Sequence, residues 1–303
     1  MKQLESRPRQ PGIAAALPHS PLAWGMWRLQ PEDPKLTETK INAALDSGIT
    51  LFDTADIYGV GPGGGFGAAE TQLGRVLAST PALRRAMTIA TKGGIVLGVP
   101  YDSSARYLVS ACEASLRRLG IEQIDLYQIH RPDSLAHPAE VASAFEQLRR
   151  SGKIRAAGVS NYTAAQTGAL QAHLPFSLAS IQPEFSALAI TPLTDGTLDL
   201  AAECEMAVLA WSPLAGGRLM DSVPGDARAA AVVAALDSFA AAHGISRMVA
   251  ALGWLMAHPT RPVPIIGSQN PARIREAMAA STLKIERKEW YAVLTAARGS
   301  PLP

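Results

Sequence analysis

Ile124-Asp125-Leu126-Tyr127-Gln128-Ile129-His130 is a short, mainly apolar run that ends on a residue able to carry chemistry. The same form recurs along the chain. Candidate strands fall at 22–26, 50–52, 87–90, 124–129, 156–159, 178–181, 207–210 and 263–266. Between them lie segments with apolar residues at helical spacing, such as Leu108, Ala111, Cys112, Ser115 and Leu119, or Val141, Ala144, Phe145 and Leu148. Residues 102–104 supply a start signal for the first of these helices, and Pro138 with Glu140 for the second. Strands alternating with helices predict βα units around a parallel sheet.

The ends of the runs decide between a closed barrel and an open, doubly wound sheet. In turn they carry Asp53, Lys92, His130, Ser160 with Asn161, Gln182, Trp211 with Ser212, and Gly267 with Ser268. An open sheet gathers such groups at one switch point, whereas a barrel brings all eight βα loops to one face. Polar groups at seven strand ends predict an α/β fold, a single (β/α)8 TIM barrel over 1–303 with 1–19 as an N-terminal extension.

Composition agrees with a chain that buries a large core: of 303 residues, 48% are hydrophobic and 18% charged. A net charge of +2, from 28 basic and 26 acidic residues, excludes the footprint of a nucleic-acid binder. The two cysteines, Cys112 and Cys204, lie far apart with no Cys/His cluster, so neither a metal site nor a disulfide framework is expected. The apolar run at 13–17 is too short for a signal-peptide core, and the Ala-rich stretch at 227–243 carries Arg228 and Asp237. No membrane partner is expected, and the expected compartment is the cytoplasm.

Gly59-Val60-Gly61-Pro62-Gly63-Gly64 matches G-x-G-x-x-G, but it follows Asp56-Ile57-Tyr58 instead of a strand and has proline in the tight turn. It reads as part of a glycine-rich βα loop near the barrel mouth. Beside that loop, Asp53, Tyr58, Lys92 and His130 lie at or just beyond the ends of candidate strands two to four. A tyrosine near pKa 10 is a weak acid, and an ammonium such as that of Lys92 lowers that value. Lys92 in turn needs a counter-ion, which Asp53 supplies. His130 donates a hydrogen bond to a substrate oxygen, and the set suits protonation of a developing alkoxide.

The segments 48–59, Glu70-Thr71-Gln72-Leu73-Gly74, Thr91-Lys92, 130–133, 152–161, Trp211-Ser212-Pro213-Leu214 and 264–268 together resemble the aldo-keto reductase family, and most of all its bacterial general oxidoreductases. The motifs run in the family's order from about residue 20 to 285. The resemblance implies NADP(H) bound without a Rossmann domain, a small aldehyde or ketone as substrate, and Tyr58 as proton donor tuned by Asp53 and Lys92. It places cofactor contacts at Gly25, Met26 and Trp27, at Ser160, Asn161 and Gln182 for the carboxamide, and at Trp211 for stacking on the nicotinamide. Ser212, Pro213, Leu214, Gly216 and Arg218 follow for the pyrophosphate. Ile266, Gly267, Ser268, Arg273 and Glu276 complete the set, with Ser268 and Arg273 at the 2′-phosphate.

Three departures stand out. The segment between Tyr58 and Glu70 is long and glycine-rich, Ala277 replaces a common asparagine, and Gly267 replaces a common lysine. Trp24 and Trp27 read either as core or, for Trp27, as a pocket wall; Trp211 is open to a core role too. Arg131 and Asp133 read equally as site or loop residues. Two other functions compete with carbonyl reduction. One is a nucleotide-sensing regulatory protein of the channel β-subunit type; the other is a lyase using Lys92 as a Schiff-base nucleophile. Substrate identity and oligomeric state stay open.

Overall fold

In the computed structural model, residues 19–61, 64–221 and 225–302 are described. The N-terminal extension, apart from its last residue His19, and positions 62 and 63 of the glycine-rich loop lie outside them. Eight strands run in order: β1 (Ala23–Gly25), β2 (Leu51–Asp53), β3 (Thr88–Gly93), β4 (Ile124–Ile129), β5 (Ile154–Ser160), β6 (Ser180–Gln182), β7 (Ala207–Ala210) and β8 (Val263–Ile266). All pairings are parallel, and β8 returns to β1 with Trp24 opposite Ile266, closing the (β/α)8 barrel. Among the described residues, ten α-helices surround it: α1 (Pro34–Asp46), α2 (Ala68–Ser79), α3 (Ala105–Leu119), α4 (Pro138–Arg150), α5 (Ala164–Gln171), α6 (Thr197–Glu203), α7 (Ala227–His243), α8 (Arg247–Met256), α9 (Pro271–Ala277) and α10 (Arg287–Arg298). Among the described residues, no single helix is long and apolar enough to cross a membrane.

The expected helix starts are present. Ser104 caps α3 by accepting from the Tyr107 N–H, and Pro138 opens α4 behind the capping His137. Three strands match their expected limits, while β3 continues past the apolar run to take in Thr91, Lys92 and Gly93. The difference has a geometric cause. Side chains of a strand alternate between its two faces, so residues two apart share one. Leu51, Ala90 and Leu126 belong to an apolar cluster with Ala23, Ala156, Ala207, Leu209, Val263 and Ile265, inside the barrel. Two residues on come Asp53, Lys92 and Gln128, all buried. The interior is thus layered, apolar below and polar toward the C-terminal mouth. On β3 the apolar run stops at Ala90, in the lower layer, while the strand continues through Lys92 in the upper one.

The other faces of the strands, including Trp24, Phe52, Ile89, Tyr127 and Ile129, pack outward against the helices in the main core. Cys112 is buried there and Cys204 half-buried, and both are free thiols. The Glu70-Thr71-Gln72-Leu73-Gly74 segment has a structural part in this packing. Glu70 accepts from Thr91 Oγ1 (2.5 Å) and pairs with Arg118 Nε (2.6 Å). Gln72 donates to Glu32 O and Thr37 Oγ1, each at 2.9 Å. A Cβ at Gly74 would stand 2.1 Å from the backbone O of Arg118, so only glycine lets α2 and α3 approach this closely. Gly74→Ala is expected to destabilise the fold by about 1–3 kcal/mol, as overpacking typically does. Denaturant unfolding checks this, and an unchanged midpoint would contradict the packing described.

Candidate active site

Asp53 ends β2, Lys92 is the penultimate residue of β3, and His130 follows β4 directly, so neighbouring strands deliver all three to one mouth. Tyr58 arrives from the loop between β2 and α2. That loop is pinned by backbone bonds from Thr54 N to Ala90 O (2.8 Å) and Asp56 N to Lys92 O (3.0 Å). Lys92 Nζ lies 2.6 Å from Asp53 Oδ2, 2.9 Å from the carbonyl of Thr54 and 3.3 Å from Tyr58 Oη. These three contacts match the three donors of an ammonium. Lys92 is fully buried, whereas Tyr58 and His130 each retain 9% exposure toward the mouth.

Their protonation follows from this burial. Tyr58 is raised above 10.0, because burial outweighs the pull of Lys92 in the opposite direction. The expectation that Lys92 leaves Tyr58 with a lowered value is corrected here: the ammonium acts in the expected sense but is outweighed. The phenol therefore keeps its proton at neutral pH. Burial alone would discharge Lys92, but the Asp53 carboxylate and Tyr58 hold it above its ordinary 10.5. His130 is driven well below 6.5 by burial, then by Lys92 and Arg131, and is neutral at pH 7. Its Nδ1 has no hydrogen-bond partner among the described residues.

The network continues around the mouth. Gln182 Nε2 donates to Asp53 Oδ1 (2.9 Å), and Ser160 Oγ donates to the Gln182 carbonyl (2.9 Å). Asn161 donates through Nδ2 to the His130 carbonyl (3.0 Å) and to Ser160 Oγ (2.9 Å). Its Oδ1 accepts from Trp211 Nε1 (3.0 Å), and Arg131 lies over the Trp211 ring at 5.8 Å. Asp133 instead accepts from the backbone of Ser103 and Leu135, a loop role. Trp27 is 61% exposed and meets Tyr58 edge-on with ring centroids 5.2 Å apart, while Trp24 is core. Gly25 and Met26 are buried.

The loop after β7 places Ser212, Leu214 and Gly216 along the rim with Pro213 buried. Arg218 ion-pairs with Asp226, the cap of α7, instead of standing free. At the end of β8, Ile266 is buried and Ser268 O accepts from Trp24 Nε1 (2.9 Å). Arg273 and Glu276 lie on the exposed side of α9. The described parts of the glycine-rich segment, 59–61 and 64–67, lie between β2 and α2 and begin six residues after the strand.

A sequence model of the Aldo/keto reductase family matches residues 21–297. The chain belongs to that family. It is 54% identical over 286 residues to the 6-dehydroglucose reductase of Novosphingobium aromaticivorans, covering 94% of this chain and 93% of the relative. The 6-dehydroglucose reductase of Agrobacterium fabrum is 36% identical over 292 residues, 92% of this chain and 95% of that one. The solved glycerol dehydrogenase of Gluconobacter oxydans superposes with a TM-score of 0.82 at 30% identity, covering 97% and 96% of the two chains. An oxidoreductase acting on carbonyl groups is the activity these relationships support.

Sequence reasoning missed Asp56, two residues before Tyr58. Burial, then the negative charge of Glu70, push its carboxyl from 3.8 to about 8. Only its place in an otherwise apolar buried turn hinted at this. Between those two values the folded chain keeps a proton that the unfolded chain releases, so stability falls as pH rises through that window, by up to about 1.4 kcal/mol per pH unit. Asp56→Asn is expected to remove this slope, leaving the variant the more stable of the two at pH 8. Parallel melting curves for the two proteins across that range would contradict the assignment.

Proposed function

We propose that this aldo-keto reductase uses NADPH to reduce the aldehyde of a small polar substrate, with Tyr58 as proton donor. One observation carries the proposal: Tyr58 Oη sits 3.3 Å from a fully buried lysine that is itself 2.6 Å from Asp53. Nicotinamide, when bound, supplies the hydride for the carbonyl carbon. The chain's own residues do the rest. His130, neutral, donates a hydrogen bond that orients the carbonyl oxygen. Tyr58 gives its proton to that oxygen, and the Lys92 ammonium stabilises the phenolate left behind. Asp53 keeps Lys92 charged, which also argues against Lys92 as a Schiff-base nucleophile, since that role needs the neutral amine.

The mouth suits a nicotinamide nucleotide. Gln182 directs its Nε2 donor at Asp53 and so leaves its side-chain Oε1 for an amide N–H, with Asn161 beside it. Asn161 (φ 60°), Ser212 (φ 49°) and Ala215 (φ 52°) all hold left-handed backbone, a conformation that concentrates at ligand sites. Gly216 and Gly217 continue it at φ 70° and 111°, where no side chain blocks a phosphate. Trp211 would flank the nicotinamide, and Ser268 with Arg273 would meet the adenosine phosphate.

Two relatives named for 6-dehydroglucose favour a sugar aldehyde as the substrate. These relatives are named as enzymes, two reductases and a dehydrogenase, which does not favour a nucleotide-sensing regulatory role with little turnover. Tyr58→Phe is expected to lower the rate of aldehyde reduction about 10²- to 10⁴-fold while NADPH binding persists. Stopped-flow turnover with 6-dehydroglucose and a nucleotide titration check both halves. Undiminished turnover in that variant would overturn the assignment of the donor.

A further inference from the structure

The first and last strands leave the barrel side by side, and a cation from the first loop lies across the end of the last strand. Arg28 follows Trp27 in the loop after β1. Its flanks are fixed: Met26 and Leu29 are fully buried, Met26 N donates to Asp53 O and Leu29 N to Met26 O, each at 2.9 Å. The Arg28 side chain, by contrast, is exposed and has no ion pair or hydrogen bond among the described residues. A Cβ built on Gly267 would lie 3.0 Å from Arg28 Nη1. The space into which a side chain at 267 would emerge is therefore the space that Arg28 approaches. Gly267 has no positive φ, so its backbone accepts other residues and only the guanidinium stands near.

Ser268, next along, is tied to β1 through Trp24 Nε1, so the two loops form one unit. Gln269 adds both of its amide atoms, shielded from solvent and without partners among the described residues. Arg273, also exposed and unpaired among the described residues, follows one turn later. An unpaired guanidinium held over the last strand end lies on the barrel face where phosphates are commonly bound, and its planar fork matches a phosphate's oxygens.

We infer that Arg28 is a specificity-determining residue, gripping the 2′-phosphate of the nucleotide together with Arg273 and so favouring NADPH over NADH. The inference rests on the nucleotide reading above and supplies, from the other side of the β1–β8 seam, the cation that Gly267 does not carry.

The test is a set of equilibrium titrations of the full chain, read by tryptophan fluorescence without turnover, using NADP+, NAD+ and 2′,5′-ADP. Arg28→Ala is expected to weaken NADP+ and 2′,5′-ADP by about ten- to a hundredfold and NAD+ by less than about twofold, as loss of a charged hydrogen bond at the 2′-phosphate requires. Adding Gly267→Lys to Arg28→Ala is expected to restore part of the lost affinity, because the new amine enters the same space. Equal losses for NADP+ and NAD+ would assign Arg28 to the shared pyrophosphate and overturn the inference, as would no loss at all. A wild-type chain that binds none of the three would overturn the cofactor reading, and the role of Arg28 with it. Retained NAD+ binding in the variants shows that they have folded.

Discussion

The site depends on one ion pair, Lys92 with Asp53, closed at 2.6 Å inside the barrel. An unpaired ammonium at zero exposure would lose its proton, and an unpaired carboxylate beside it would take one up. With Asp53 beside it, and the Thr54 carbonyl and Tyr58 Oη completing its contacts, the Lys92 ammonium stays charged. Removing one partner of such a pair typically costs about 3–5 kcal/mol, because the other is left buried and uncompensated. That constraint reaches outward. Asp53 must also accept from Gln182, which positions Ser160 and Asn161, and Asn161 in turn holds the carbonyl of His130 and the indole of Trp211.

The mouth is therefore a ring of polar contacts on an apolar plug. Lys92 tunes its neighbours by charge: it opposes ionisation of His130, offers its cation to the phenolate of Tyr58, and lies 4.9 Å from the centre of the Tyr58 ring. Burial sets the sign on Tyr58 and keeps the proton on the phenol, as the proposed role of donor requires. The net charge of +2 fits this arrangement. The anionic nucleotide proposed above needs only a few local cations and no basic surface.

The barrel was legible because seven of the eight strand ends carry polar groups, and the runs ending at His130, Trp211 and Gly267 even show the strand limits. What lay hidden was contact information. Lys92 read as a residue after a strand, since hydropathy cannot show that it continues the inward face begun by Ala90. Glu70, Gln72 and Gly74 read only as part of a motif, and the contacts show that Glu70 braces the strand carrying Lys92, Gln72 ties to Glu32 and Thr37, and Gly74 lets α2 approach α3. Arg28 passed unnoticed because its significance lies in Gly267, which is 239 positions away in sequence and one strand away in space. The direction of the Tyr58 shift needed burial, which no local pattern reports.

The central claim is that Asp53 keeps Lys92 charged in the barrel interior. Side-chain NMR of selectively labelled lysine, with the Lys92 signal assigned by its loss in Lys92→Met, follows that charge directly across pH. The account predicts an ammonium signal that persists past pH 10.5 in the native chain and titrates below that value in Asp53→Asn. A neutral Lys92 amine at pH 7 in the native chain would contradict it.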